Sequence, residues 1–325
     1  MNPAWYLLLY AALGLLGLFT IISNGFIIGF YQNKWNEVVP LTYNMIAVCD
    51  SVTGVLTVCH ACLFTCSSFH FEIARYIFPV VYTVLQTMTR TSLFYNTMLA
   101  VVRTINITRP FYRINKCIMV CCAILYPVFL VLFFMIDAVI ACTSPIYTAY
   151  YLDYFLNDIF PGIEIVTKIM PSVIQDRGKA LIIFGIPLIL PAIISLICAV
   201  VQIYSILKPS VISPPSNRER RMTMTIIMLT LVCLICNIPY TLFISYRLYI
   251  SSNVNIDGQG IFFYLLHTLL PFIQAFLNPT ILLQRGAALR TFVVITFRRL
   301  FNCLSRLRNT NELEMVVMNN GADMG

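Results

Sequence analysis

The chain has 325 residues, 59% of them hydrophobic and only 10% charged, with 21 basic and 13 acidic side chains and a net charge of +8. A soluble domain carries about 25% charged residues, so a soluble enzyme, a disordered tail protein and a nucleic-acid binder all fit poorly. The composition is that of an integral membrane protein, and the meaning of its positive charge depends on where that charge falls relative to a bilayer.

From the N-terminus onward, apolar stretches of about 20 residues or more, enough to cross the hydrocarbon core, fall at 6–30, 41–65, 76–105, 118–141, 180–207, 222–249 and 261–283. Each is expected to be a helix, because isolated strands leave backbone groups unpaired in lipid. The ten-residue alternation of a membrane barrel is absent. The expected fold is therefore an all-α, seven-transmembrane helix bundle at 6–283, preceded by a short extracellular N-terminus at 1–5. It is followed by an amphipathic juxtamembrane helix at 284–301 and a cytoplasmic tail at 302–325. No basic stretch precedes the first span, and that span is long enough to cross, so a cleavable signal is not expected.

Proline interrupts several spans, at Pro127, Pro187, Pro191, Pro239, Pro271 and Pro279. Bundles tolerate this where neighbours satisfy the freed carbonyls. The basic residues of the connections are strongly partitioned. One side holds Lys34, Arg103, Arg109, Arg113, Lys116, Lys208, Arg218, Arg220 and Arg221, together with Arg285, Arg290, Arg298, Arg299, Arg306 and Arg308. The other holds only Arg75, Lys168, Arg177, Lys179 and Arg247. Positive residues stay in the cytoplasm, so the N-terminus is expected outside and the C-terminus inside. An odd span count and the lack of an internal repeat argue against the commonest transporter plan.

The outside connection 142–179, acidic and rich in tyrosine, reads as a lid or vestibule. Within 285–301 apolar residues recur at helical spacing between arginines, a pattern suited to a helix on the inner leaflet. Cys303 follows it, flanked by Arg298, Arg299 and Arg306, and is a palmitoylation candidate. Most of the 12 cysteines lie within spans, as small apolar residues. Cys66 and Cys142 both lie near the outer boundary, making them the disulfide candidate.

Ionisable and amide groups within a bilayer are costly and face the bundle interior. Asn24, Asp50, Ser92, Gln274 and Asn278 lie at comparable depth in their spans. They read either as a polar network that locks packing or as a site for hydrated Na⁺, the single cofactor-like ion the sequence brings to mind. Arg90 and Asp137, on consecutive spans, read as an intramembrane ion pair, or else as a snorkelling arginine and a wetted carboxylate. No HExxH, GxSxG or P-loop occurs, so enzymatic activity and a bound cofactor are not expected.

These residues together carry a resemblance. Ser23-Asn24 in the first span, Ile46-Ala47-Val48-Cys49-Asp50 in the second and Val102-Arg103-Thr104 with downstream Pro110 after the third are similar to the motifs of rhodopsin-like (class A) G-protein-coupled receptors. So are Phe184-x-x-Pro187, Cys236-Asn237-Ile238-Pro239 and Asn278-Pro279-Thr280-Ile281-Leu282. The match runs over roughly 6–300. The chain departs from the family at Val102 (an acid there), Asn237 (a tryptophan) and Leu282 (a tyrosine), and Phe78 stands where the outer cysteine of span 3 is usual. Such altered motifs, and the run Arg109-Pro110-Phe111-Tyr112, look like the divergent chemosensory-type serpentine receptors of nematodes.

The resemblance implies an extracellular ligand, a cytoplasmic heterotrimeric G protein, a plasma-membrane location and contact with lipid, but no nucleic acid. Leu85 occupies the amine-anchoring position and Phe272 the retinal-lysine position, so neither a monoamine nor an opsin is expected. The implied pocket is lined by Gln86, Thr89, Phe184, Tyr240, Phe243 and His267, suited to a small organic molecule or a peptide. Asn237, Pro239 and Pro279 are the implied switch. Arg103 is the implied coupling residue, paired across the bundle with Glu219 as a lock on the off state. The competing class is a membrane transporter or channel subunit using Asp50, Arg90 and Asp137.

Overall fold

The computed structural model describes residues 3–34, 37–66, 71–109, 115–143, 189–208, 216–249, 269–299 and 301–302, and these are helical apart from short caps. The helices are α1 (Pro3–Tyr31), α2 (Val38–Cys66), α3 (Phe71–Thr108), α4 (Lys116–Thr143), α5 (Leu190–Leu207), α6 (Asn217–Tyr249) and α7 (Leu270–Arg285). A further helix, α8, covers Ala287–Arg299. A 3₁₀ turn at Gln32–Lys34 closes α1. The chain divides within α7 into two compact units, Met1–Ile281 and Leu282–Gly325.

Among the described residues, four helices are long and apolar enough to cross a membrane, over Ala11–Lys34, Val38–Cys59, Leu190–Leu207 and Asn217–Pro239. There are up to five if α7 and α8 count as one span. The described residues thus show fewer than the seven spans expected. The physical reason at α3 is visible in its sequence: Gln86-Thr87-Met88-Thr89-Arg90-Thr91-Ser92 dilutes the apolar content of a 38-residue helix. Thr89, Arg90, Thr91, Ser92 and Leu93 are nevertheless all buried. Five consecutive residues cover every face of a helix, so at this level α3 is enclosed by protein on all sides and does not have to suit lipid. It packs against α2, α4, α5 and α6. In α4, the apolar stretch among the described residues is Cys117–Leu132, too short to count as a span.

α5 shows how the bundle is built. Its buried face is small or polar: Pro191, Ala192, Ser195, Cys198, Ala199 and Gln202. Its exposed face carries Leu190, Ile193, Leu196, Ile197, Val200 and Leu207. A helix with large apolar residues outside and polar ones inside is stable where the surroundings are hydrocarbon, and would be inverted in water. Many hydroxyls on these helices satisfy themselves. Thr42, Thr53, Thr57, Thr91 and Thr230 each donate to the carbonyl four residues back, at 2.7–3.0 Å.

α1 and α2 cross at two glycines. A Cβ on Gly17 would lie 2.7 Å from the Gly54 carbonyl oxygen, and one on Gly54 would lie 2.9 Å from that of Gly17. The two backbones touch, and only glycine permits it. Above this crossing, Leu13, Ala61, Leu85 and Phe272 form one core cluster. Leu85 and Phe272 are thus both core residues of this cluster.

Pro127 lies inside α4, so the carbonyl of Ala123, four residues earlier, loses its helical donor. The Tyr95 hydroxyl of α3 supplies one, donating to Ala123 O at 2.6 Å. Phe94 stacks on Tyr126 beside it, with centroids 4.0 Å apart. In the second unit, α8 follows α7 after Gly286, whose N–H donates to Leu282 O at 2.9 Å.

Candidate functional site

The interior of the first unit carries an axis of buried polar side chains along α3, with partners on α2, α5, α6 and α7. Near its middle is Asp50 of α2, 1% exposed. Its carboxylate accepts from Ser92 Oγ of α3 at 2.9 Å and from Asn278 Nδ2 of α7 at 2.8 Å. One carboxylate thereby joins three helices. Buried carboxylates are costly unless hydrogen-bonded, and these two donors are what makes Asp50 tolerable. Asn278 Oδ1 and Asn96 Oδ1, both buried, have no hydrogen-bond partner among the described residues. The open acceptor of Asn278, whose amide nitrogen is bonded to the carboxylate, adds an oxygen to a setting that favours water or a hard cation. Among the described residues no group of three or more His, Cys, Asp or Glu is placed to hold a metal ion.

Of the five residues expected in this network, Asp50, Ser92 and Asn278 are joined by hydrogen bonds, and two find other partners. Asn24 Nδ2 donates to Thr20 O of its own helix at 3.0 Å. Gln274 belongs to a separate clasp between α6 and α7. Asn237 Nδ2 donates to Gln274 Oε1 at 2.6 Å and to Cys233 O at 2.7 Å, and Gln274 Nε2 approaches Cys233 Sγ at 3.4 Å. The clasp lies just inward of Pro239 in α6.

At the far end of α3, Arg103 is 6% exposed. Its Nε donates to Thr223 Oγ1 at 2.8 Å and its Nη2 to the backbone carbonyl of Glu219 at 3.1 Å, both on α6. Thr223 Oγ1 in turn donates to Glu219 O at 2.9 Å. The expected side-chain pair of Arg103 with Glu219 is corrected here. The Glu219 carboxylate accepts from Ser216 N at 2.9 Å and Ser216 Oγ at 3.1 Å, and Ser216 Oγ receives the Glu219 N–H at 3.3 Å. This is a capping box, Ser-x-x-Glu, which occupies the acid at the helix N-terminus. The hydrogen bonds of Arg103 therefore go to neutral acceptors of α6, while the Glu219 carboxylate attracts it through space without a direct bond.

Between these ends, α3 is tied to α5. The Thr97 and Ser195 hydroxyls lie 2.8 Å apart. Gln202, fully buried, donates through Nε2 to Ala100 O at 2.9 Å and to Thr104 Oγ1 at 3.1 Å. Thr223, Gln202, Ser195 and Tyr95 are not among the residues the sequence singles out. Ser195 and Gln202 lie opposite the exposed apolar stripe of α5, and that face pattern was the available signal for them.

Arg90 is buried and Thr89 is 7% exposed. The side chains of Gln86, Tyr240, Phe243, Asp137, Cys66 and Cys142, and all of Phe184, His267 and Cys303, lie outside the described residues. So do the expected pocket beyond Thr89, the Arg90–Asp137 pair, the disulfide and the palmitoylation candidate. Compared with protein-family models and with curated proteins, the chain matches none.

Proposed function

We propose that this chain is a seven-span, rhodopsin-like (class A) receptor of the divergent chemosensory type, in the plasma membrane with its N-terminus outside. It binds a small organic molecule or a peptide from outside and activates a heterotrimeric G protein inside. The observation that carries the reading is the hold of α6 on Arg103. A buried guanidinium at the end of the central helix, held through a hydroxyl and a backbone carbonyl, is released when α6 moves outward. Neutral acceptors make that release cheaper than breaking a buried ion pair. Once free, the arginine is available to a cytoplasmic partner.

Two further contacts support the reading. The Asn237–Gln274 clasp couples α6 to α7 beside Pro239, where the helix lacks one backbone bond and bends easily. The Asp50 group ties α2, α3 and α7 together, and its acceptors suit Na⁺, whose binding would favour the arrangement seen. The second reading, a transporter or channel subunit, draws support from the buried Asp50 and Arg90 in the same core. Ligand-library screening in cells carrying promiscuous G proteins, with whole-cell current recorded in parallel, separates the two. Signalling without current is the expected result, and current without signalling would reject the receptor.

A further inference from the structure

We propose that Tyr43 of α2 is a second seat for the Arg103 guanidinium, taken up when α6 moves away. The consequence for signalling rests on the receptor reading; the contact itself does not.

The register of α2 against α3 brings the two side chains together. These are consecutive helices that pack on each other, and the Asp50–Ser92 bond fixes how far one has slid along the other. Tyr43 lies seven residues from Asp50 toward the start of α2, and Arg103 lies eleven from Ser92 toward the end of α3. Those intervals are close to two and three whole turns. Tyr43 is therefore on the face of α2 that Asp50 presents, and Arg103 on the face of α3 that Ser92 presents. Along the helices the two stand roughly 10 and 16 Å from that bond. Side chains tilt toward the N-terminus of their own helix. Between neighbours running in opposite directions, this carries the Tyr43 side chain further from the bond and the Arg103 side chain back toward it, which closes the difference. Both residues are buried, and each lies in the electrostatic field of the other.

The Tyr43 ring packs on Tyr31, with centroids 5.5 Å apart. Its hydroxyl makes no hydrogen bond among the described residues. A guanidinium has five N–H donors, and Arg103 bonds through Nε and Nη2 to Thr223 and the Glu219 carbonyl, both of α6. In this arrangement the arginine is committed to α6 and the tyrosine oxygen stays open. Once α6 withdraws, a buried guanidinium without acceptors is costly, and the Tyr43 oxygen is an acceptor already beside it. It takes one N–H and leaves the others for a cytoplasmic partner. Tyr43 thus makes its bond only in the released state, and a contact made in one state alone shifts the population toward that state.

Full-length protein, solubilised in detergent and melted, tests the contact without any partner. Tyr43→Phe keeps the ring on Tyr31 and removes only the oxygen, so its midpoint should match wild type. In a Thr223→Val background, where the Nε of Arg103 has lost its acceptor, Tyr43→Phe should lower the midpoint by about 3 °C. In an Arg103→Ala background it should again change nothing. An equal shift in all three backgrounds, or no shift in Thr223→Val, overturns the proposal. Nucleotide exchange on purified heterotrimeric G protein reads the consequence. The excess expected of Thr223→Val, roughly tenfold, should fall to within about twofold of wild type in Thr223→Val/Tyr43→Phe. A midpoint shift confined to the Thr223→Val background, with no exchange from any variant, counts against the receptor reading alone. Exchange raised by Thr223→Val and undiminished by Tyr43→Phe, with no midpoint shift, counts against the second seat alone.

Discussion

Single side chains in this protein act by completing the hydrogen-bonding of another helix. Tyr95 is the clearest case, because its hydroxyl serves the carbonyl that Pro127 orphans. Tyr95→Phe leaves that carbonyl buried and unpaired, a loss of about 1–3 kcal/mol, to be seen as a lower melting midpoint of the detergent-solubilised protein. Arg103 gives a sharper contrast. Thr223→Val removes the acceptor of its Nε and should raise ligand-free G-protein activation about tenfold, the effect of ~1.4 kcal/mol on an off/on ratio. Glu219→Gln keeps the capping geometry and the backbone carbonyl, and its basal activity should match wild type. The importance of Arg103 and of the start of α6 is legible in the sequence, but the atom that meets the arginine is not. The spacing of Ser216 and Glu219 already spelled a capping box, which takes the carboxylate out of reach. Likewise the depth of Gln274 is legible, whereas the face it presents, toward Asn237, depends on how α7 is rotated.

At the level of elements, the bundle is held by close approach and by polar seams between helices. The α1–α2 crossing rests on Gly17 and Gly54, and Gly17→Val forces the backbones apart. A destabilisation of about 1–3 kcal/mol is expected from such overpacking, with a corresponding fall in thermal midpoint. The less demanding Gly25→Ala, with nothing near its added Cβ, should leave that midpoint unchanged. The α3–α5 seam predicts that Gln202→Leu, which removes both Nε2 bonds, loosens α5 and raises basal activity. Restoration by Gln202→Asn is not expected, since its amide is one methylene short. Element positions were legible from apolar runs, with ends agreeing within a few residues for α1, α2 and α4. α3 illustrates why apolarity alone misleads: a helix surrounded by other helices is free to be polar, and its role shows only once its neighbours are in place.

For the whole molecule, the helical membrane character follows from composition and is matched by the helices long enough to span. The expected orientation rests on charge between and at the ends of the spans, in Arg109, Arg113 and Lys116 and in the arginines after α7. An epitope at the C-terminus should be stained only after permeabilisation, and one at the N-terminus without it. The proposed ligand pocket is the least legible part, because its lining depends on the mutual rotation of several helices and no single spacing encodes it. The central claim is that α6 restrains Arg103 for a G protein to use. Nucleotide exchange on purified heterotrimeric G protein, driven by membranes at matched receptor density, tests it most directly. Thr223→Val should exceed wild type without ligand, while Arg103→Ala should fall to the level of empty membranes. Equal exchange from wild type, Thr223→Val and Arg103→Ala would contradict the account.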